Sequence, residues 1–129
     1  MSAIPTGNAI YLWDEHMKLS ARTEELLQIV TVIDDRIDAA VALEFKETMR
    51  QLTDGAPDTV ILDLSRVTFI DSSGLGAIVA TMKYLAPGRT LVLAGLTGPV
   101  DRVFRLTRMD SVFTLYPTLE AAVHDQALQ

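Results

Sequence analysis

Four adjacent residues, Asp71-Ser72-Ser73-Gly74, are the part of this chain best suited to chemistry. A serine hydroxyl can accept a phosphoryl group, and serine and aspartate side chains also pair with the free N–H groups at the start of a helix. Capping is much the commoner role for these residue types. One residue can serve both roles, because the free N–H groups and the dipole of a helix N-terminus also favour a phosphate.

A predicted strand and a predicted helix flank these four residues. Residues 60–64 are an apolar run of strand length, and apolar residues recur over 75–82 at the spacing of an amphipathic helix. We predict a helix that follows the turn at Ser73 and ends near residue 85. Gly74 and Gly76 lower helix propensity in its first turn. They indicate a close backbone approach there, either to a strand or to a bound partner or nucleotide.

The rest of the chain alternates predicted strands and helices, which is typical of an α/β domain with right-handed crossovers. We expect a single domain over residues 17–129, with a mostly parallel mixed β-sheet of about five strands and about four α-helices. The first strand is expected to be antiparallel at one edge of the sheet. The predicted strands cover residues 17–22, 25–34, 59–64, 89–94 and 112–116, and the predicted helices cover 39–52, 73–85, a segment from 99 onwards and 117–125.

Residues 1–16 have poor periodicity and are predicted to form an N-terminal arm of uncertain order. An apolar patch at residues 10–13 interrupts the arm. We favour the interpretation that Trp13 packs onto the domain, and a partner-binding peptide is the alternative.

Composition excludes several classes of protein. The length of 129 residues fits one domain, and the absence of cysteine excludes disulfides and thiolate chemistry. A formal charge of −6 argues against a nucleic-acid binder, which needs a basic face. No apolar run approaches the roughly 20 residues that span a bilayer, and no secretory signal is visible. We therefore expect a cytoplasmic protein with protein partners and no direct contact with nucleic acid or membrane.

The sequence contains no convincing enzyme constellation. The Gly-x-Ser-x-Gly elbow, the phosphate-binding loop with Gly-Lys-Ser/Thr and the His-Glu-x-x-His zinc helix are all absent. His16 and His124 are the only histidines, and both lie in segments expected to be peripheral. We therefore predict no catalytic residues, no metal site and no cofactor, and we interpret Ser73 as the residue of a substrate protein.

Residues 67–76, Val-Thr-Phe-Ile-Asp-Ser-Ser-Gly-Leu-Gly, resemble the signature of the STAS domain, specifically that of the bacterial anti-sigma factor antagonists. The resemblance covers about residues 26–124. Arg36-Ile37-Asp38 is similar to the family's Gly-Arg-Leu-Asp element, and residues 99–113 resemble its last long helix and strand. Asp35 departs from the family pattern, where glycine is usual, and the N-terminal arm is a second departure.

The resemblance implies a STAS fold and a partner switch. Family members bind an anti-sigma factor that is also a serine kinase, and they thereby release a sigma factor. The kinase phosphorylates the second serine of the turn, which maps to Ser73, and a PP2C-type phosphatase restores the binding form. Asp38 and Asp71 map to positions at or beside the contact surface, and Ser72 and Gly74 flank the acceptor. The N-terminal arm could modify partner choice or support a homodimer.

Two other functions remain open from the sequence. The chain could be a STAS module of a larger signalling or transport assembly, binding partners or responding to nucleotides, with Ser73 mainly a cap. It could instead be a response-regulator receiver, with Asp34-Asp35 as an acidic pocket and Asp63 as the phosphorylated residue. The spacing disfavours a receiver, because only one predicted helix separates Asp34 from the strand that bears Asp63.

A second charged feature lies near the C-terminus. Arg102, Arg105 and Arg108 recur every three residues and would form a basic ridge on the predicted third helix. A solvated face is the simpler interpretation, and an electrostatic contact with a partner is the alternative.

Overall fold

Apolar strands and amphipathic helices alternate through the chain as the sequence pattern predicts. The structure, a computed structural model, describes residues 8–13, 18–24 and 26–128. Its elements are β1 (Asn8–Trp13), β2 (Lys18–Glu24), β3 (Leu27–Val32), β4 (Arg36–Ile37), α1 (Ala42–Leu52), β5 (Thr59–Asp63), β6 (Phe69–Ile70), α2 (Ser72–Leu85), β7 (Thr90–Ala94), α3 (Gly98–Leu106), a short 3₁₀ turn (Met109–Ser111), β8 (Leu115–Tyr116) and α4 (Leu119–Ala127).

The main sheet has six strands in the order β1-β2-β3-β5-β7-β8. β1, β2 and β3 are antiparallel neighbours, whereas β3, β5, β7 and β8 are parallel. Parallel neighbours need long crossovers, and α1, α2 and α3 lie in those connections. β4 and β6 form a separate parallel pair.

The central strands are covered on both faces, as their nearly continuous apolar sequences predict. On one face, Val30, Leu62 and Leu93 pack in a single core with residues of α1, α2 and α3. On the other face, Ile61 and Val92 pack against α4. Three helices therefore cover one side of the sheet and one short helix covers the other.

The predicted fold class is confirmed, whereas the predicted edge strand is wrong. β1 lies outside β2 and pairs with it along its length, from Asn8 opposite Thr23 to Trp13 opposite Lys18. The strand predicted over 17–22 is therefore interior, and the sheet has six strands. The side-chain packing proposed for Trp13 and the position of His16 lie outside the described residues.

The predicted basic ridge is also wrong as a continuous feature. α3 ends at Leu106, and Arg108 lies beyond it with a left-handed φ of 61°. Within α3, Arg105 is paired with carboxylates, at 2.9 Å from Asp101 and 3.6 Å from Asp110. The three arginines therefore do not share one uncompensated helix face.

Candidate functional site

The predicted site lies where the segment before α1 meets the segment before α2. β4 and β6 pair in parallel and bring the two segments together. The carbonyl oxygen of Asp35 accepts a hydrogen bond from the Thr68 N–H at 2.7 Å, and the carbonyl oxygen of Ile37 accepts one from the Asp71 N–H at 3.4 Å. These contacts fix the starts of both helices relative to each other.

Asp71 is the N-cap of α2. Its backbone is extended, as is typical of that position, and Oδ1 accepts a hydrogen bond from the Gly74 N–H at 2.9 Å. Oδ2 accepts a second hydrogen bond, from the Ala39 N–H at 3.0 Å. One carboxylate therefore caps α2 and also fixes the turn that precedes α1.

Because Asp71 provides the cap, the two serine hydroxyls are not needed for it. Ser72 and Ser73 are the first two residues of α2, and both are exposed. Among the hydrogen bonds of the described residues, none involves either hydroxyl. Ser73 therefore lies exposed in the first turn of α2, and its hydroxyl is not used to cap the helix.

Gly74 allows α2 to approach the backbone of β4. A Cβ atom at Gly74 would lie 2.0 Å from the Ile37 carbonyl oxygen and 2.8 Å from its carbon. The close approach predicted from the sequence is thus made to a strand of the same chain. Gly76 differs, since a Cβ there would meet no heavy atom within 4 Å, and the residue is exposed.

Asp38 lies in the turn before α1 and is held by two donors. Its Oδ2 accepts from Arg36 Nε at 2.7 Å, and its Oδ1 accepts from the Ala40 N–H at 3.1 Å. The hydrogen bond from Arg36 lowers the pKa of the Asp38 carboxyl below its ordinary value. Asp38 and Asp71 lie in segments that are joined by a hydrogen bond. The Asp71 carboxylate accepts it from the N–H of Ala39, the residue after Asp38.

Turn formation also explains where α1 begins. The sequence pattern predicts the first helix from residue 39. In the structure, residues 39–41 form a turn and α1 starts at Ala42. Asp38 directs this turn, because its carbonyl oxygen accepts from the Val41 N–H at 3.0 Å and its carboxylate accepts from Ala40.

Sequence reasoning missed an aromatic residue at this site. Phe69 is 44% exposed, and the Arg36 guanidinium carbon lies 4.7 Å from its ring centroid. The alternation of Phe69 with the buried Ile70 could have indicated its outward position, since successive strand residues face opposite sides. Leu43 is a second exposed apolar residue, and it lies in the first turn of α1.

Two of the acidic residues on which the receiver hypothesis rests accept hydrogen bonds from backbone N–H groups. Asp63 is buried, and its Oδ1 accepts from the Ser65 N–H at 3.0 Å. Asp34 Oδ2 accepts from the Lys18 N–H at 3.0 Å. No group of three or more histidine, cysteine, aspartate or glutamate residues in the described ranges is arranged to hold a metal ion. The acidic pocket of a receiver is therefore not formed by these residues.

None of the helices in the described part of the chain is both long and apolar enough to cross a membrane.

The arrangement of the sheet, the four helices and the α2 turn is that of a known domain. The family model of the STAS domain matches residues 19–122. This chain belongs to the STAS domain family, and the match includes every predicted site residue.

Individual relatives extend this assignment. The chain is 33% identical over 82 residues to an anti-sigma-B factor antagonist of Listeria monocytogenes, covering 61% of this chain and 70% of that protein. The crystal structure of an anti-sigma factor antagonist from Mycobacterium paratuberculosis superposes with a TM-score of 0.74 at 24% identity, over 94% of this chain and 96% of that one.

The same fold occurs in proteins described in other terms. The structure of a sulfate transporter family protein from Wolinella succinogenes matches with a TM-score of 0.68 at 19% identity, over 79% of this chain and 85% of that one. At 24% and 19% identity, both structural matches show the fold alone.

Proposed function

We propose that this protein is an anti-sigma factor antagonist. It binds an anti-sigma factor that is also a serine kinase and thereby releases a sigma factor, in the cytoplasm. Phosphorylation of Ser73 prevents binding, and a PP2C-type phosphatase reverses it. The observation that carries the proposal is the exposed Ser73 at the start of a helix that another residue, Asp71, already caps. The relatives named as anti-sigma factor antagonists support the general role.

The local electrostatics fit a switch that leaves the domain intact. A phosphate adds about −1.5 to −2 charges, and the N-terminal N–H groups and dipole of α2 favour an anion there. The Asp71 carboxylate next to it keeps its two backbone donors. The fold is therefore expected to tolerate the phosphate.

The same phosphate is expected to oppose partner binding. It would add negative charge beside the carboxylates of Asp38 and Asp71, and a partner would have to desolvate it. A partner surface that fits the unmodified turn is also too close to accommodate the added group. Stable partner binding and the phosphorylated state of Ser73 are thus mutually exclusive in this mechanism.

The proposed partner-binding residues contribute in two ways. Ser72 is exposed and Asp38 is half-buried, so both can touch a partner directly, together with the exposed ring of Phe69. Asp71 and Gly74 act by holding the turn in place, because the carboxylate oxygens of Asp71 are bonded internally and Gly74 lies against β4.

Mass spectrometry after incubation with a candidate anti-sigma kinase and ATP tests the proposal. We expect one phosphate on Ser73, its loss in Ser73→Ala, and full incorporation in Ser72→Ala, which is the matched control because it removes the neighbouring exposed hydroxyl. Loss of phosphate in Ser72→Ala but not in Ser73→Ala would show that Ser72 is the acceptor, which would contradict the proposal.

A STAS module that binds partners without being phosphorylated is the second candidate. The STAS family match is common to both candidates and does not distinguish them. Titration with the same active kinase separates the two: binding without phosphate incorporation supports the module, and binding that Ser73 phosphorylation abolishes supports the switch.

A further inference from the structure

A basic recess lies between α1 and α2, away from the Ser73 turn. It has a volume of about 390 Å³, and its lining includes Lys46, Glu47, Arg50, Lys83 and Tyr84. Lys83 lies ten positions after Ser73 in α2, which places the recess roughly 15 Å along the helix at 1.5 Å per residue. The recess is therefore separate from the proposed phosphorylation site.

The cations that line the recess lack the close carboxylate partners that three other arginines have. Nitrogen atoms of Arg22, Arg36 and Arg105 lie 2.7–2.9 Å from carboxylate oxygens. Within the described residues no such ion pair is formed by the three lining cations, Lys46, Arg50 and Lys83, or by Arg89, which lies outside the lining. Positive charge is thus concentrated here on a chain whose net charge is −6.

Tyr84 organises two of these cations. The guanidinium carbon of Arg50 lies 4.6 Å from the centroid of its ring, and that of Arg89 lies 5.6 Å away. Arg89 is also fixed by a hydrogen bond from Nη1 to the Thr53 carbonyl oxygen. The ring attracts both cations, but it supplies no net negative charge to offset their mutual repulsion.

Favourable interaction with the helix dipoles explains the positions of only two of these cations. Arg50 and Lys83 occupy the last turns of α1 and α2, where a cation interacts favourably with the helix dipole. That effect does not explain Lys46, which lies two turns from the end of α1 in a helix of 11 residues, or Arg89, which follows α2. An anion in the recess would interact favourably with Lys46, Arg50 and Lys83, which outnumber Glu47, the one carboxylate in the lining.

We propose that this recess binds a small, multiply charged oxyanion of the phosphate class. The planar guanidinium of Arg50 matches phosphate oxygens in a bidentate manner, and Lys46 and Lys83 supply point charges from either helix. The volume suits a small ligand, since ligand pockets typically span about 300–1,000 Å³. The anion is either a free polyphosphate or the phosphate group of an organic ester.

NMR titration of the ¹⁵N-labelled chain with sodium pyrophosphate, against sodium chloride at equal ionic strength, tests the site. We expect saturable amide shifts in residues 46–50 and 80–84 that chloride does not produce. The double variant Arg50→Gln/Lys83→Gln should bind about tenfold more weakly or worse, because two of the charge-assisted contacts are lost. A parallel titration with phenyl phosphate assigns an ester if it binds more tightly than pyrophosphate, and a polyphosphate if it binds less tightly.

The matched control is Arg66→Gln/Arg102→Gln, which removes the same charge from two exposed arginines outside the recess. It should bind pyrophosphate as the parent chain does. Absence of saturable shifts in the parent chain, or equal weakening in both double variants, would overturn the proposal. Thermal unfolding of each variant shows that it is folded, and none of these measurements depends on Ser73 or a kinase.

Discussion

Two glycines in the same helical turn have opposite environments, although they look equivalent in the sequence. Gly74 lies against the Ile37 carbonyl, whereas Gly76 faces open space. We predict that Gly74→Ala destabilises the fold by about 1–3 kcal/mol, because the backbones of α2 and β4 must separate. Gly76→Ala is expected to stabilise it by about 0.5–1 kcal/mol, because alanine favours the helix and meets no obstacle.

Urea unfolding of the two variants measures this difference. Equal destabilisation by both changes would contradict the assigned packing. If Gly76→Ala stabilises the fold but weakens partner binding, the glycine serves the interface and not the fold.

The Arg36–Asp38 pair gives a second prediction at the residue scale. Because the pKa of Asp38 is lowered in the folded state, this group stabilises the fold at pH values above its unfolded pKa, ordinarily about 3.9. The contribution is lost as pH falls from there through the folded pKa. We expect ¹³C NMR titration to place the Asp38 midpoint below 3.9 in the parent chain.

Replacing the donor tests the cause of this shift. Arg36→Gln should raise the Asp38 midpoint, because the largest source of the lowered pKa is the hydrogen bond from Arg36. The Arg36 side chain is exposed, and an ion pair at the surface contributes little to stability, so the protein should remain folded. An unchanged midpoint in Arg36→Gln would exclude Arg36 as the cause.

Most long elements were predictable from the sequence, whereas β1 and two very short strands were not. β5, β7, α1 and α2 have enough residues to show a clear period. β1 lies in the segment predicted to be an arm, and β8 lies within the strand predicted over 112–116. β4 and β6 have two residues each and show no period, so the pairing that brings the two site segments together could not be read from periodicity.

The site itself was predictable in kind but not in detail. The residue types of the turn predicted a capped helix start, yet only the structure assigns the cap to Asp71 and leaves the serine hydroxyls open. The recess beside Tyr84 depends on how α1 packs against α2, and no local pattern records that packing.

α4 supplies the prediction at the scale of an element. The hydroxyl of Tyr116 donates to Asp125 and accepts from Gln126 Nε2 at 2.9 Å, and so joins β8 to α4. Tyr116→Phe removes both hydrogen bonds and should cost about 0.5–1.5 kcal/mol for each. We expect faster amide exchange in α4, measured by hydrogen–deuterium exchange.

Tyr84→Phe is the matched control for this change, because it removes a tyrosine hydroxyl that lies away from α4. Its α4 amides should exchange as in the parent chain. Unaltered exchange in Tyr116→Phe would show that apolar packing alone holds the helix.

At the scale of the whole molecule, the proposed switch requires that phosphorylation leave the fold unchanged. Asp71 bonds both site segments, and α2 accommodates a new anion at its N-terminus. We expect amide shifts after Ser73 phosphorylation to be confined to residues 35–41 and 67–76. Shifts throughout the sheet would contradict a local mechanism and indicate a change of conformation.

The two faces of the sheet are covered unequally, and this determines which part of the core is exposed first by local unfolding. The apolar layer that includes Leu27, Ile29 and Ile61 is sealed by α4, a single helix of nine residues at the C-terminal end of the described chain. Detachment of α4 exposes this layer while the opposite core, under three helices, stays packed. The form with α4 detached therefore keeps most of the native core but exposes an apolar surface. Proteolytic removal of α4 should accordingly promote aggregation before the rest of the domain unfolds.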